Sequence, residues 1–482
     1  MATGSNVFTS RWGMLLAMLG MAVGTGNIWR FPRIAASNGG GSFLVAWVVF
    51  LLVWSIPLLL LEFGMGKGTR KGTVGAFVKT LGPKFGWMGA WVGWTAIAIM
   101  FYYSVVMGWT IRFFFATLFG EIPTAVPGSF WEGYAATPTA LLTHAVAMAL
   151  GVFVVSKGVR GIETAAKILI PSLIILVLVL AIKAITLPNA SAGLAFLFTP
   201  DWGALANYEI WLQALTQNAW DTGAGWGLVL SYAVYMRAQE DTALNAFVIG
   251  FGNNSMSLLA GIMVLCTVFS VMPGAAAEIT GAGNEGLTFI WVPQLFAQIP
   301  GGQFFMGLFF LALVFAAWTS LVAMIELATR VLLDMGFERN RAIAVVGIAG
   351  LLCGVPSALS MSFFGNQDFV WGVGLMLSGF FFAFAVIRSE GGISQWRETY
   401  LNTGDSDIRI GAWWDWAIRL VLVQAVVLIA WWLWQERGEN PFDPFATFSL
   451  GTVLFQWGLV LAVLIFLNKR LVARQTADVP GS

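Results

Sequence analysis

Charge is what this sequence has least of. Asp, Glu, Lys and Arg together make up 10% of its 482 residues, against 58% hydrophobic residues, so the length does not divide into soluble domains. The net charge of +1 gives no electrostatic footprint for nucleic acid. Histidine and cysteine are nearly missing too. His144, the single histidine, and Cys266 and Cys353, the two cysteines, all sit in apolar runs. That leaves no material for a His/Cys metal cluster, a Ser-His-Asp triad or a Cys-His pair, so an enzyme is not expected. His144 reads as a hydrogen-bonded structural residue and the thiols as small hydrophobes, with no disulfide. The pattern Gly-x-x-x-x-Gly-Lys-Ser/Thr is absent, so no nucleotide drives the protein. No organic cofactor is implied.

Long apolar runs are what the chain does have. Windows of about 20 apolar residues give twelve expected membrane spans, at about 11–36, 42–66, 87–119, 139–155, 164–186, 209–235, 243–271, 303–333, 341–356, 363–387, 411–435 and 447–468. The fold class is therefore an all-α polytopic membrane protein, with 1–482 as one transmembrane domain. The first run reads as an anchoring span rather than a cleaved signal. Most cations, from Arg11, Lys67 and Arg70 to Arg339, Arg341, Lys469 and Arg470, fall on the side of the N-terminus. The other side has chiefly Arg112, Lys183 and Arg437. The positive-inside bias then puts both termini in the cytoplasm, in an inner (plasma) membrane. The connection from Pro273 to Gln303, with its Gly and Pro residues around an apolar middle, reads as a re-entrant hairpin over an outer vestibule.

Two spans carry interruptions. Ala22-Val23-Gly24-Thr25-Gly26-Asn27 breaks the first, and Trp220-Asp221-Thr222-Gly223-Ala224-Gly225-Trp226-Gly227 breaks the sixth. Glycine costs about 1 kcal/mol against alanine inside a helix, so these are the cheapest places to unwind. Such glycines also serve close helix packing. Two of them in corresponding halves favour a transporter site, because unwound backbone is tolerated in a membrane only beside a cavity whose contents bond the freed groups. Cations suit carbonyls and carboxylates suit amides. Five spans from each break give an inverted repeat of 11–186 and 209–387, with 411–468 as two accessory helices.

Arg11-Trp12-Gly13, the run Ala22 to Pro32 and Asn38-Gly39-Gly40-Gly41 resemble the opening signature of the neurotransmitter:sodium symporter family, in particular its bacterial amino-acid transporters. Thr199-Pro200-Asp201 and Asp368-Phe369 agree in position. The resemblance implies an unwound first and sixth helix, alternating access and two sodium sites. The first would use Ala22, Asn27, Asp221 and Asn253 with the substrate carboxylate. The second would use the carbonyls of Gly20, Val23 and Ala316 with the hydroxyls of Thr319 and Ser320. A membrane hydroxyl can also simply bond back to its own helix. The substrate carboxylate would meet the amides of Gly24, Thr25 and Gly26 and the Tyr103 hydroxyl, and its ammonium the carbonyls around Ala22. Ile99, Trp220, Gly223, Trp226, Ser320 and Met324 would line the side-chain pocket. Gly24 favours an amino acid, since monoamine carriers of this family look to have an aspartate there. Arg30 and Asp368 resemble an outer ion pair over a lid of Tyr103 and Trp220, and Tyr235 and Asp334 match inner-gate positions. Glu62 is expected to cap freed amides of the sixth span.

The sequence also departs from that pattern. Asp221 stands where relatives carry a hydroxyl, near Gln217, Asn253 and Ser257, the neighbourhood of chloride in chloride-dependent relatives. The implied reading is that Asp221 is a built-in anion and chloride is not required, although it could instead only hydrogen-bond freed amides. Emptied, the site would hold a lone carboxylate, and neutralising it with a proton would couple transport to proton antiport. Trp47 replaces a chloride-facing tyrosine. Ser5 replaces the arginine that would latch Asp334, leaving the latch absent or made by another cation such as Arg11. The function expected is sodium-coupled symport of a small zwitterionic, apolar amino acid. Alternatives are a sodium-independent or proton-driven carrier, and a non-transporting sensor on the same fold.

Overall fold

The computed structural model describes residues 7–123, 126–403, 406–435 and 440–476. Ser5 and Arg437, read above from the sequence, lie outside the described residues. Helices account for the elements: α1 (Arg11–Ala22), α2 (Gly26–Ser37), α3 (Gly41–Thr69), α4 (Pro83–Leu118), α5 (Pro138–Ser156), α6 (Gly158–Ile185), α7 (Tyr208–Asp221), α8 (Leu228–Ala233), α9 (Thr242–Val271), α10 (Gly302–Asp334), α11 (Arg339–Leu359), α12 (Met361–Ile387), α13 (Trp413–Gln435) and α14 (Leu450–Gln475). Among the described residues, ten helices are long and apolar enough to cross a membrane, and α1 with α2 makes an eleventh. The stretch 209–235, expected as one span, is the two shorter helices α7 and α8 on either side of a non-helical stretch at 222–227.

Both interruptions appear where the glycines stand. α1 stops at Ala22 and α2 leaves at 52° to it. Gly24 N–H, freed by the break, donates to Asn27 Oδ1 at 2.8 Å, and Thr25 N–H donates to the Tyr103 hydroxyl at 3.2 Å. Between α7 and α8, Gly223, Gly225 and Gly227 take φ of 69°, 88° and 79°. An L side chain rarely adopts that region, so three alternate glycines allow a turn that other residues would resist. Glu62 of α3 is fully buried and accepts from Gly225 N at 2.6 Å and Leu230 N at 3.1 Å, as expected of a cap. Gly66 lets α3 approach: a Cβ there would lie 2.3 Å from the Leu230 carbonyl oxygen.

The broken pair α1–α2 packs on α6, α9 and α10. α4, α10 and α12 have 78% of their apolar windows buried, whereas α13 has 33% and α14 22%, so the last two helices sit at the rim of the bundle. The segment 273–301 folds into short helices, among them Ala276–Gly281 and Val292–Ala297, and touches the end of α2 through Ser37 Oγ, which donates to Thr280 O at 3.5 Å.

Candidate functional site: a cavity between the two breaks

A cavity of about 80 Å³ lies where the two breaks meet α4 and α10. Every residue expected in the substrate pocket lines it: Ala22, Gly24, Thr25, Gly26, Ile99, Tyr103, Trp220, Asp221, Gly223, Trp226, Ser320 and Met324. Gly24 is fixed by its surroundings, since a Cβ there would lie 2.9 Å from Ser320 Oγ and 3.0 Å from the Tyr103 hydroxyl. Trp220 stands edge to face with Trp226 at 6.1 Å, and the Trp226 indole N–H donates back to Ala219 O at 3.0 Å across the break. Trp220 fits only because its wall is glycine; a Cβ on Gly372 would meet its ring at 1.9 Å.

At one end of the cavity, polar atoms are arranged for charge. Asn27 Oδ1 is held by Gly24 N–H, so Asn27 Nδ2 faces outward and donates to Asn253 Oδ1 at 2.9 Å and to Ser257 Oγ at 2.8 Å. Asn253 Nδ2 donates to Asn254 Oδ1 at 3.2 Å. With both amide groups so engaged, Asn253 Oδ1 sits 3.2 Å from the Ala22 carbonyl oxygen and 2.9 Å from the Asp221 carbonyl oxygen. Turning the amide over lets its nitrogen donate to both carbonyls and brings it beside Asn27 Nδ2, while Asn254, whose Nδ2 otherwise lacks an acceptor, can turn with it to meet the Asn253 oxygen. In either orientation the Ala22 and Asp221 carbonyl oxygens converge within 3.2 Å of the Asn253 amide, and with its oxygen toward them the three would make the donor set a hard cation takes.

The Asp221 side chain is engaged by other partners. Its Oδ2 accepts from Gln217 Nε2 and Ser257 Oγ, both at 3.1 Å, while its buried Oδ1 has no hydrogen-bond partner. The carboxylate thus shares Ser257 with Asn27. Trp47 borders the same region through its carbonyl, which accepts from Asn218 Nδ2 at 2.9 Å.

The second expected sodium site is assembled less fully. Gly20 faces Thr319, where an added Cβ would come within 3.1 Å of Thr319 Cβ. The Thr319 hydroxyl bonds back to Phe315 O at 3.0 Å and Ala316 O at 3.1 Å, and the Ser320 hydroxyl donates to Met21 O at 3.4 Å. Val23 follows α1 directly, its N–H bonded to Leu19 O at 2.7 Å.

The two ends of the cavity differ. Toward the N-terminal face it is sealed: Phe8 N–H donates to Tyr235 O, Phe8 packs edge-on against Tyr232 and Tyr235, and the Tyr235 hydroxyl donates to the fully buried Glu326 at 2.5 Å. Arg339 also pairs with Glu326, at 2.7 Å. Asp334 is latched by Arg330 one turn away at 2.7 Å and by Gly72 N–H, so the expected substitute Arg11 is not used; Arg11 is exposed and makes no ion pair among the described residues. Toward the opposite face the cavity opens, past Arg30, Trp220 and Asp368, into a vestibule of about 570 Å³. Arg30 and Asp368 do not form the expected ion pair. The Arg30 guanidinium instead lies 5.3 Å over the Trp220 ring and donates to Gln217 Oε1 at 2.9 Å.

Sequence reasoning missed several lining residues. Val106 lies seven positions after Ile99 and three after Tyr103, on one helical face, so periodicity along α4 would have found it. Phe364 precedes Asp368 by one turn in the same way. Asn284 and Glu285 reach the cavity from the hairpin, Asn284 tied to Arg33 Nε at 2.9 Å, and no pattern in that segment announces it. His144 is structural as expected, its Nε2 3.0 Å from Leu351 O.

Comparison with known proteins agrees with this geometry. The model of the Sodium:neurotransmitter symporter family matches residues 5–140 and 135–474. The chain is 30% identical, over 88% of its length and 89% of the relative's, to an uncharacterised sodium-dependent transporter of Methanocaldococcus jannaschii. It is 31% identical to one of Bacillus subtilis, over 77% of this chain and 85% of that one. A Drosophila melanogaster sodium-dependent serotonin transporter is 25% identical over 72% of this chain and 64% of its own. Among solved structures, that of MhsT in complex with L-phenylalanine superimposes with a TM-score of 0.77 at 30% identity, covering 89% of this chain and 99% of that one. Two helices broken at glycines around one cavity, in a multi-pass membrane transporter rather than an enzyme, agree with these matches: the chain belongs to the sodium:neurotransmitter symporter family.

Proposed function

We propose that the protein moves a small zwitterionic, apolar amino acid inward together with sodium, by alternating access across the plasma membrane, without needing chloride. The observation that carries this is the convergence of the Ala22 and Asp221 carbonyl oxygens on the Asn253 amide, whose oxygen would complete with them a donor set for sodium. An amino-acid carboxylate would complete the site from the cavity, oriented by the amides of Gly24, Thr25 and Gly26 and by Tyr103. Relatives in this family named for amino acids, and a similar structure holding L-phenylalanine, support that substrate class. Trp220, Trp226, Ile99 and Met324 favour an apolar side chain.

Asp221 serves as the fixed anion. Its carboxylate accepts from Gln217 and Ser257, the residue types that would otherwise donate to chloride. Two sodium ions, a zwitterion and ionised Asp221 sum to the same charge as two sodium ions, a zwitterion and chloride. The second sodium would bind at Gly20, Val23, Ala316, Thr319 and Ser320 once the Thr319 hydroxyl turns from its own helix and the Ser320 hydroxyl from Met21 O. The halves 11–186 and 209–387 act as inverted repeats, with both termini cytoplasmic, so the sealed N-terminal face makes this an outward-facing state. Tyr103 and Trp220 form the lid; closure would bring Arg30 off Trp220 toward Asp368, while Tyr235 and Asp334 release the inner side.

Thermal stabilisation of the purified protein by each of the twenty amino acids, in sodium or potassium and in chloride or gluconate, tests this reading. A ligand that binds only the folded protein raises the melting temperature by mass action. A shift that needs sodium and ignores chloride is expected. A shift indifferent to sodium would move the proton-driven reading ahead.

A further inference from the structure

A second cavity, of about 340 Å³, opens on the flank of the bundle between α5, α6 and α10, near the N-terminal face. Its rim is Lys157, at the turn between α5 and α6, and Arg160, in the first turn of α6; Thr164 and Gly161 continue down one wall. Phe153 and Trp318 complete the lining. Lys157 and Arg160 are exposed and make no ion pair among the described residues; the Lys157 ammonium rests over the Phe153 ring at 3.9 Å. The nearby acids are taken: Glu163 by Lys167, Thr9 and Ser10, and Glu326 by Arg339 and Tyr235. The Trp318 indole N–H is buried and has no acceptor. Phe153, 56% exposed, and Ile168, 61% exposed, present apolar surface beside the same cavity and one to two turns deeper along α6.

Those features are ordered along the membrane normal as the parts of a phospholipid are. Two cations without an acidic partner stand at the end of the helices, and exposed apolar side chains continue inward. A zwitterionic lipid would bring its own cation to a rim that already has two, whereas a net anionic head complements it. We propose that this cavity binds one anionic phospholipid. Its phosphate lies between Lys157 and Arg160, and an acyl chain covers Phe153 and Ile168. The site is a regulatory one by position. Trp318 directly precedes Thr319 and Ser320, and α6 also carries Glu163, which takes Thr9 N–H at 2.7 Å and so holds the segment that seals the N-terminal face.

The test is native mass spectrometry and thermal unfolding of the detergent-solubilised protein, given phosphatidylglycerol, phosphatidylcholine or free glycerol 3-phosphate. Phosphatidylglycerol is expected to remain bound and to raise the melting temperature, with little from the other two. Lys157→Gln with Arg160→Gln should weaken phosphatidylglycerol about thirtyfold, since each cation near a membrane surface contributes about one tenfold step or less. Lys469→Gln with Arg470→Gln, on the same face but away from the cavity, should leave binding intact. Equal retention of phosphatidylcholine, the full shift from glycerol 3-phosphate alone, or equal losses from the two double variants would overturn the proposal.

Discussion

Glu62→Ala isolates what holds the sixth-helix break together. The carboxylate is fully buried and receives the amides of Gly225 and Leu230, so alanine leaves two buried N–H groups without an acceptor. Each orphaned group costs about 1–3 kcal/mol, giving a loss of about 2–6 kcal/mol. Glu62→Gln keeps one acceptor and sets an NH2 group against the other donor, so about half of that loss is expected. Melting temperature in detergent reads the total. Hydrogen exchange assigns it: the alanine variant should lose protection at Gly225 and Leu230 together, ahead of the amides of α9. An alanine variant that melts with the wild type, or that keeps both amides protected, would refute the reasoning.

Other perturbations follow from the same geometry. Arg339→Gln strands the buried Glu326 charge and should cost about 3–5 kcal/mol, most of it restored by adding Glu326→Gln; a double-mutant cycle on melting temperature checks this, and additive losses would contradict it. Gly24→Ala pushes a methyl against Ser320 Oγ and Tyr103, so amino-acid-induced stabilisation should vanish, and Ser320→Ala in that background should return part of it. Burial raises the Glu285 carboxyl above its ordinary value, so the folded protein holds a proton there that the unfolded chain has released. Stability should fall as pH climbs through the interval above the ordinary carboxylate range, and Glu285→Gln should flatten that slope.

The breaks could be read in the sequence because their cause is local: glycines at 24 and 26, and at 223, 225 and 227, stand where helix is least favoured. Glu62 was legible for a related reason, as a carboxylate in a membrane span requires donors, and only unwound backbone supplies them there. The gates were not. Whether Arg30 meets Asp368 or lies over Trp220 depends on how far α2 and α12 stand apart, which no local pattern encodes. Arg330 latches Asp334 from one turn away on α10, a pairing visible in the spacing yet passed over in favour of a more distant cation. Gly372, whose missing side chain seats Trp220, reads in sequence like any other membrane glycine. Long-range shape, rather than residue chemistry, is what the sequence withheld.

The central claim is that Asp221 is the anion that lets sodium and an amino acid bind without chloride. Uptake into proteoliposomes, of whichever amino acid stabilises the protein, tests it when run in sodium with chloride or gluconate, for the wild type and for Asp221→Ser. Uptake by the wild type should need sodium and ignore chloride, and uptake by the serine variant should return only when chloride is present. Uptake by Asp221→Ser that is undiminished in gluconate would contradict it.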